Sequence, residues 1–153
     1  YAVITLWDVI EHLSNVPMVL ERIFSLLKPG GIVIIGTVNQ QGISMRFFKE
    51  KSLTVMPPEH LTFFTSKGMR QALKNQHFTG IMCWSCMIYL REWTRFLSRT
   101  TSNNTGDIKD YANVRSTLTD SSLFLQLIRV TNVGLKITNL GDELVATAQK
   151  GKL

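Results

Sequence analysis

Asp8, Glu11 and His12 stand as Asp-x-x-Glu-His directly after an apolar run, Val3-Ile-Thr-Leu-Trp7. That spacing puts three possible metal ligands within one turn. Two carboxylates suit a hard ion such as magnesium, and an imidazole broadens the choice. His12 is equally a general base that needs no metal. The plainer alternative is that Glu11 and His12 brace the following helix. A second histidine, His60, follows Pro57-Pro58-Glu59. Two prolines fix the backbone, so His60 is held in place, either facing a substrate or bonded to the backbone.

The elements that must position these groups are legible around them. The near-continuous apolar run from Val3 to Trp7 reads as a strand buried on both faces, as in a parallel sheet with helices on either side. Ser14 or Asn15 caps a helix, with Pro17 in its first turn. Val16, Leu20, Ile23, Phe24 and Leu27 recur at helical spacing on its inner face. Pro29-Gly30-Gly31 stops that helix, and Ile32 to Ile35 begin a second strand. A strand–helix–strand unit of this kind is right-handed, with its strands parallel. Ligands of such sheets lie beyond the carboxyl ends of the strands, where Asp8, Glu11 and His12 stand. Glu11 is thus expected as an exposed carboxylate at a crevice.

Further along, Gln40 to Ser52, with Ile43, Met45, Phe47 and Phe48, predict a short helix over the site, and Asn39 either turns the chain or points its amide into the crevice. Thr65 or Ser66 caps another helix, with Met69 and Leu73 inward and Phe78 packed at its end. Thr79 to Ser85 give a third strand. Ile88 to Arg99 form an amphipathic helix read as a core, lid or oligomer helix in preference to a membrane-surface one. Thr100 to Asp110 are polar and read as a loop. A helix over Leu123 to Val130 is expected to end near Gly134, and Glu143 to Ala148 make a last strand.

Three blocks in this order, WDVIEHL, SLLKPGGIVIIGTVN and PPEHLTFFTSKGMRQALKNQHF, resemble the second half of class I S-adenosylmethionine-dependent methyltransferases. They are most similar to the group that includes ubiquinone-biosynthesis O-methyltransferases. GDELVATAQK resembles the last, antiparallel strand of that family. The resemblance implies an α/β fold, the C-terminal half of a Rossmann-like domain. Three parallel strands and a last antiparallel strand would be flanked by helices. Strands are expected near residues 2–7, 31–37, 79–86 and 143–149, the last lying between the second and third. A helical insertion would occupy about 88–135.

The same resemblance implies methyl transfer from S-adenosylmethionine, read here as O-methylation of a small or lipid-like acceptor. Leu6, Trp7 and Val9 would line the cofactor. Glu11, His12 and His60 would be catalytic, and Asp8, Glu11 and His12 would hold magnesium if a metal is used. An N- or C-methyltransferase, or a non-catalytic partner, are the alternatives. The family's glycine-rich cofactor loop and ribose-holding acid do not occur in these residues. The sequence therefore reads as a partial methyltransferase domain spanning 1–153. As such it is expected to bind the cofactor weakly and to associate through residues 2–7.

The formal net charge of +6 reads as a solvated basic surface, although attraction to an anionic substrate or a membrane surface stays open. Nothing resembles an RNA-binding motif. Cys83 and Cys86, in CWSC, lack the second pair that a four-thiolate zinc site needs, and read as reduced thiols in a cytoplasmic protein.

Overall fold

The computed structural model describes residues 1–52, 54–55, 58–89, 92–93, 96 and 122–152, with backbone alone over 122–129. Four strands, β1 (Val3–Trp7), β2 (Ile32–Val38), β3 (Thr79–Cys86) and β4 (Glu143–Gln149), form one sheet in the order β1-β2-β4-β3. β1 and β2 are parallel, from Val3 opposite Ile32 to Trp7 opposite Gly36. β4 runs antiparallel to both β2 and β3, between them, as the family resemblance led us to expect.

The helices with bounds among the described residues are α1 (Val16–Leu26), α2 (Ile43–Phe48), α3 (Ser66–Asn75) and α4 (Ser122–Thr138). Local chemistry starts two of them. Asn15 accepts a hydrogen bond from the Met18 N–H at 3.2 Å to cap α1, and Thr65 accepts one from Gly68 to cap α3. α1 then buries Val16, Leu20 and Ile23, and α3 buries Met69 and Leu73. Both rows meet Leu6, Val33, Ile35, Leu144, Ala146 and Ala148 in one core, with Phe78 at its end. Such burial is the main favourable term in folding, about 25 cal/mol per Å² of apolar surface removed from water.

Two expectations need correction. β1 is covered on one face only: Leu6 is buried, whereas Val3 and Trp7 are each 51% exposed. An apolar run resembles a doubly covered strand, but burial is set by what packs on it, and the core lies on the Leu6 side. Nor does Gly134 end α4. An isolated glycine in a helix is tolerated at a cost of about 1 kcal/mol, and here the helix continues to Thr138. Asn139 then takes the left-handed conformation (φ 60°) that stops it, bonding its side chain to Ser66. The amphipathic helix expected over 88–99 and the loop over 100–110 lie mostly outside the described residues.

Beyond the ends of β2 and β4, buried polar groups fasten the chain. Asn39 is fully buried; its amide donates to the backbone oxygens of Gly141 (2.7 Å) and Asn139 (3.1 Å) and accepts from Gln41 N–H. It is a turn residue and does not point into a crevice. Asp142 is also buried. One carboxylate oxygen accepts from the Ser44 N–H at 2.8 Å. The other accepts from the Ser44 hydroxyl at 2.6 Å and the Tyr89 N–H at 2.8 Å. The Trp93 indole N–H then donates to Ser44 Oγ. Removing this hub would strand several buried donors. Asp142→Ala is expected to lower stability by about 3 kcal/mol, read as a lower urea midpoint at unchanged slope; loss under about 1 kcal/mol would count against it.

Candidate active site

The chain leaves β1 through Asp8, whose backbone is left-handed (φ 51°) and whose N–H donates to Gly36 O at 3.1 Å. A short polar side chain tolerates that conformation better than most, at some cost. It turns the chain into a single 3₁₀ turn, Ile10–His12, anchored by the fully buried Ile10. Glu11 follows Ile10 inward and is only 1% exposed. The expectation of an exposed crevice carboxylate is therefore wrong. One oxygen, Oε2, accepts a hydrogen bond from Thr37 Oγ at 2.8 Å, and Oε1 is buried without a partner.

The loop after α2 is clamped onto this turn. The N–H groups of Leu61 and Thr62 both donate to Glu11 O, at 2.8 and 3.1 Å. His12 Nδ1 lies 2.8 Å from Glu59 O, and His60 Nδ1 lies 2.6 Å from Thr54 O. A carbonyl oxygen only accepts, so each ring donates from Nδ1, and in its neutral form has its lone pair on Nε2. The two imidazoles meet edge to face, with centroids 4.7 Å apart. Glu11, His12 and His60 each bring one potential ligand atom within 4.8 Å of the others. Asp8 is not in this group, so His60 stands where the sequence suggested Asp8.

Asp8 acts at a distance on its other neighbours. Burial pushes the Glu143 carboxyl above the usual range, and the negative charges of Asp8 and Glu11 push it further. Tyr89 is raised by burial and then by Glu143, Asp8, Asp142 and Glu11. On a basic chain, the crevice beyond β1 and β2 is thus electronegative. A carboxyl raised in the folded state gives stability that is fully present below the unfolded value, near 4.5. That stability is lost as pH rises through the folded value. Glu143→Gln is accordingly expected to melt higher than the parent at about pH 7.5, with the difference closing toward about pH 4. Thermal melts across that range would check it, and an equal gain at both ends would refute the cause.

Of the three residues expected to line a cofactor, Leu6 is 8% exposed and packed in the core, so its side chain is spoken for. Trp7 and Val9 do stand exposed beyond the strand. The Trp7 ring lies over Gly36 so closely that a Cβ there would fall 2.1 Å from a ring carbon. Leu61, beside His60, is exposed as well, which makes part of the rim apolar. Cys83 and Cys86 are free thiols, both raised chiefly by burial, and belong to no metal cluster among the described residues. A polar hollow of about 420 Å³ along α3, between Lys67, Arg70 and Lys74, contains none of the three site residues.

Sequence reasoning missed Thr37, Asp142 and Glu143. Thr37 ends an apolar strand and Glu143 begins one, a position from which either can face the crevice; nothing in the chain flags Asp142 as a hub. Among the described residues, no helix is long and apolar enough to cross a membrane.

A family model described as "Methyltransferase domain" matches residues 1–83. A ubiquinone biosynthesis O-methyltransferase from Rhodopseudomonas palustris is 30% identical over 88 residues, 53% of this chain and 32% of that protein. Among solved structures, a SAM-dependent methyltransferase from Thermotoga maritima, a possible histamine N-methyltransferase, superposes with a TM-score of 0.58 at 12% identity. That match covers 97% of this chain and 55% of the other. A SAM-dependent methyltransferase from Archaeoglobus fulgidus gives 0.53 at 17% identity, covering 97% and 59%. The chain thus spans about a third of the curated relative and somewhat over half of these solved chains. At such identities the structures speak for the fold alone. The family match, by contrast, covers more than half of the sequence, and the protein belongs to the methyltransferase domain family.

Proposed function

We propose that this protein takes part in S-adenosylmethionine-dependent methyl transfer to an oxygen of a small, largely apolar acceptor. The observation that carries the reading is the convergence of Glu11, His12 and His60 beyond the carboxyl end of β1. The ubiquinone O-methyltransferase likeness favours oxygen as the acceptor atom. The apolar rim of Trp7, Val9 and Leu61 favours an acceptor with apolar or lipid-like surface. Two free thiols suit a reducing, cytoplasmic setting.

In the transfer, an acceptor oxygen attacks the sulfonium methyl in line; the O–C bond forms as the S–C bond breaks, and sulfur leaves as a neutral thioether. The acceptor's proton must depart. A hydroxyl is a weak nucleophile until it does. In their neutral forms His12 and His60 carry the lone pair on Nε2, with the Nδ1–H groups held on Glu59 O and Thr54 O. A ring nitrogen accepts the proton; were a cation bound, Glu11, His12 and His60 would hold it, and it would supply acidification of the hydroxyl. Asp8, Glu11 and Glu143 make the crevice favourable for a positively charged sulfonium. Trp7 and Val9, both exposed beyond the strand, would line the cofactor.

The test is methyl transfer from radiolabelled S-adenosylmethionine by the protein expressed from its own genomic reading frame, against phenolic and amine acceptor panels. Label on phenols supports the reading. Label on amines alone would move it to nitrogen, and neither cofactor binding nor transfer would leave a non-catalytic partner.

A further inference from the structure

We propose that the polar hollow along α3 is a binding site for a small oxyanion of the phosphate class, a diphosphate or a phosphate monoester, held by Lys67, Arg70 and Lys74. The hollow shares no lining residue with the crevice beyond β1, and its ligand does not depend on the methyl-transfer reading.

Charge supplies the first reason. The hollow holds about 420 Å³, inside the range of small-ligand pockets, about 300–1,000 Å³. Lys67, Arg70 and Lys74 line it, and no Asp or Glu does. Their spacing, i, i+3 and i+7, puts all three on one face of α3. The helix itself, SKGMRQALKN, carries no acidic residue. No carboxylate pairs with any of the three among the described residues. Part of the net charge of +6 is thus gathered in one concave place. Helix physics does not ask for this. Like charges one turn apart repel, and Lys67 stands in the first turn, at the positive end of the helix dipole. An anion bound among the three offsets both penalties.

Arg70 supplies the second reason. Its Nη1 donates to Ile81 O at 3.1 Å and its Nη2 to Cys83 O at 3.0 Å. Two of its five N–H donors are spent on neutral carbonyls of β3, which hold the guanidinium still and leave its charge uncompensated. Arg70 is half-buried, so water and salt screen it less than the exposed Lys67 and Lys74. One wall is fixed as well. Ser66 Oγ donates to Asn139 Oδ1 at 2.9 Å, and Asn139 Nδ2 donates to Ser66 Oγ at 2.7 Å. The result is one anchored cation with two flexible lysines beside it, free to close on a ligand.

Donor chemistry then selects the ligand. A planar fork and two ammonium groups match a tetrahedral oxyanion of two or more negative charges. A single carboxylate would meet too little of the charge. Soluble phosphate esters and the headgroup of phosphatidic acid share the required chemistry.

The experiment is calorimetric titration of the protein from its own reading frame with diphosphate and with inorganic phosphate, at low and at physiological salt. Diphosphate is expected to bind at one equivalent, at least about 10-fold tighter than phosphate, and to weaken as salt rises. Lys67→Gln/Lys74→Gln should weaken it by more than about 10-fold. Both side chains are exposed, so the fold should survive, as a thermal melt checks. Should it not, Lys74→Gln alone is expected to weaken diphosphate by at least about 3-fold. Arg22→Gln/Lys28→Gln removes the same charge on and just beyond α1, and should change binding by less than about 2-fold. Flotation with phosphatidylcholine vesicles containing phosphatidic acid separates the two sources. Vesicle binding that free diphosphate displaces and the double variant loses assigns a lipid headgroup. Diphosphate binding with no vesicle binding assigns a soluble ester, and either result supports the site. No saturable binding of diphosphate, an undiminished double variant, or an equal loss in the control pair would overturn it. Its failure would leave the methyltransferase reading standing, and absence of methyl transfer would leave the site standing.

Discussion

Gly141→Ala is expected to destabilise the protein by more than about 4 kcal/mol, or to prevent its folding. A Cβ at Gly141 would stand 2.4 Å from Cys86 N, 2.5 Å from Cys86 O and 2.7 Å from its carbonyl carbon. All three are backbone atoms of β3, which no rotamer change can move aside. The strand would have to shift, yet Cys86 is paired with Glu143 in the β3–β4 ladder. Gly141 also donates its N–H to Ser85 Oγ at 3.0 Å and accepts from Asn39, so a shift breaks those bonds as well. Overpacking ordinarily costs about 1–3 kcal/mol; a backbone-on-backbone clash at a fastened corner belongs in the tail beyond it. Denaturant unfolding would measure the loss, and Gly134→Ala is the control. Nothing lies within 4 Å of a Cβ there, and alanine favours the helix by about 1 kcal/mol. Equal stability of Gly141→Ala and the parent would show the corner to be far softer than its geometry.

Glu11→Gln should separate activity from stability in the opposite sense. Methyl transfer is expected to fall by about 100- to 1,000-fold in kcat/KM, the range for losing acid–base or charge assistance at a reacting centre. Stability should not fall with it. Gln keeps an oxygen for the Thr37 hydroxyl and removes a buried, half-satisfied anion, so in chelator the variant should melt no lower than the parent. Sites that favour chemistry over packing behave this way. A variant that loses several degrees in chelator along with its activity would mark Glu11 as a structural brace.

The order of the sheet was readable from three blocks and a tail. Apolar runs fix where strands lie, and the resemblance supplied the antiparallel β4 between β2 and β3. Leu20, Ile23, Met69 and Leu73 were legible because helical spacing and burial coincide. What escaped was decided by contacts distant in sequence. Glu11 looked exposed because a carboxylate after a strand usually is; Ile10 and the loop over Leu61 and Thr62 bury it. Asp8 looked like a ligand by spacing, but a left-handed residue at position 8 separates it from the turn that carries Glu11 and His12. His60 joins them across about fifty residues of chain, which no local pattern encodes. Asp142 gains its importance only where α2, the segment after β3 and β4 meet.

The place of β4 bears on when the sheet can exist. β2 and β3 do not touch as strands; each bonds to β4, which follows β3 by about sixty residues. At roughly 5–20 residues per second of synthesis, β3 waits about 3–12 s for its neighbour in the described sheet. β1 and β2 can zip together early, while β3 has two open edges until the last strand emerges. Deleting residues 143–149 would therefore not shorten the sheet by one strand. It would divide it into a parallel pair and a stranded β3, which makes the late-made segment the keystone of assembly.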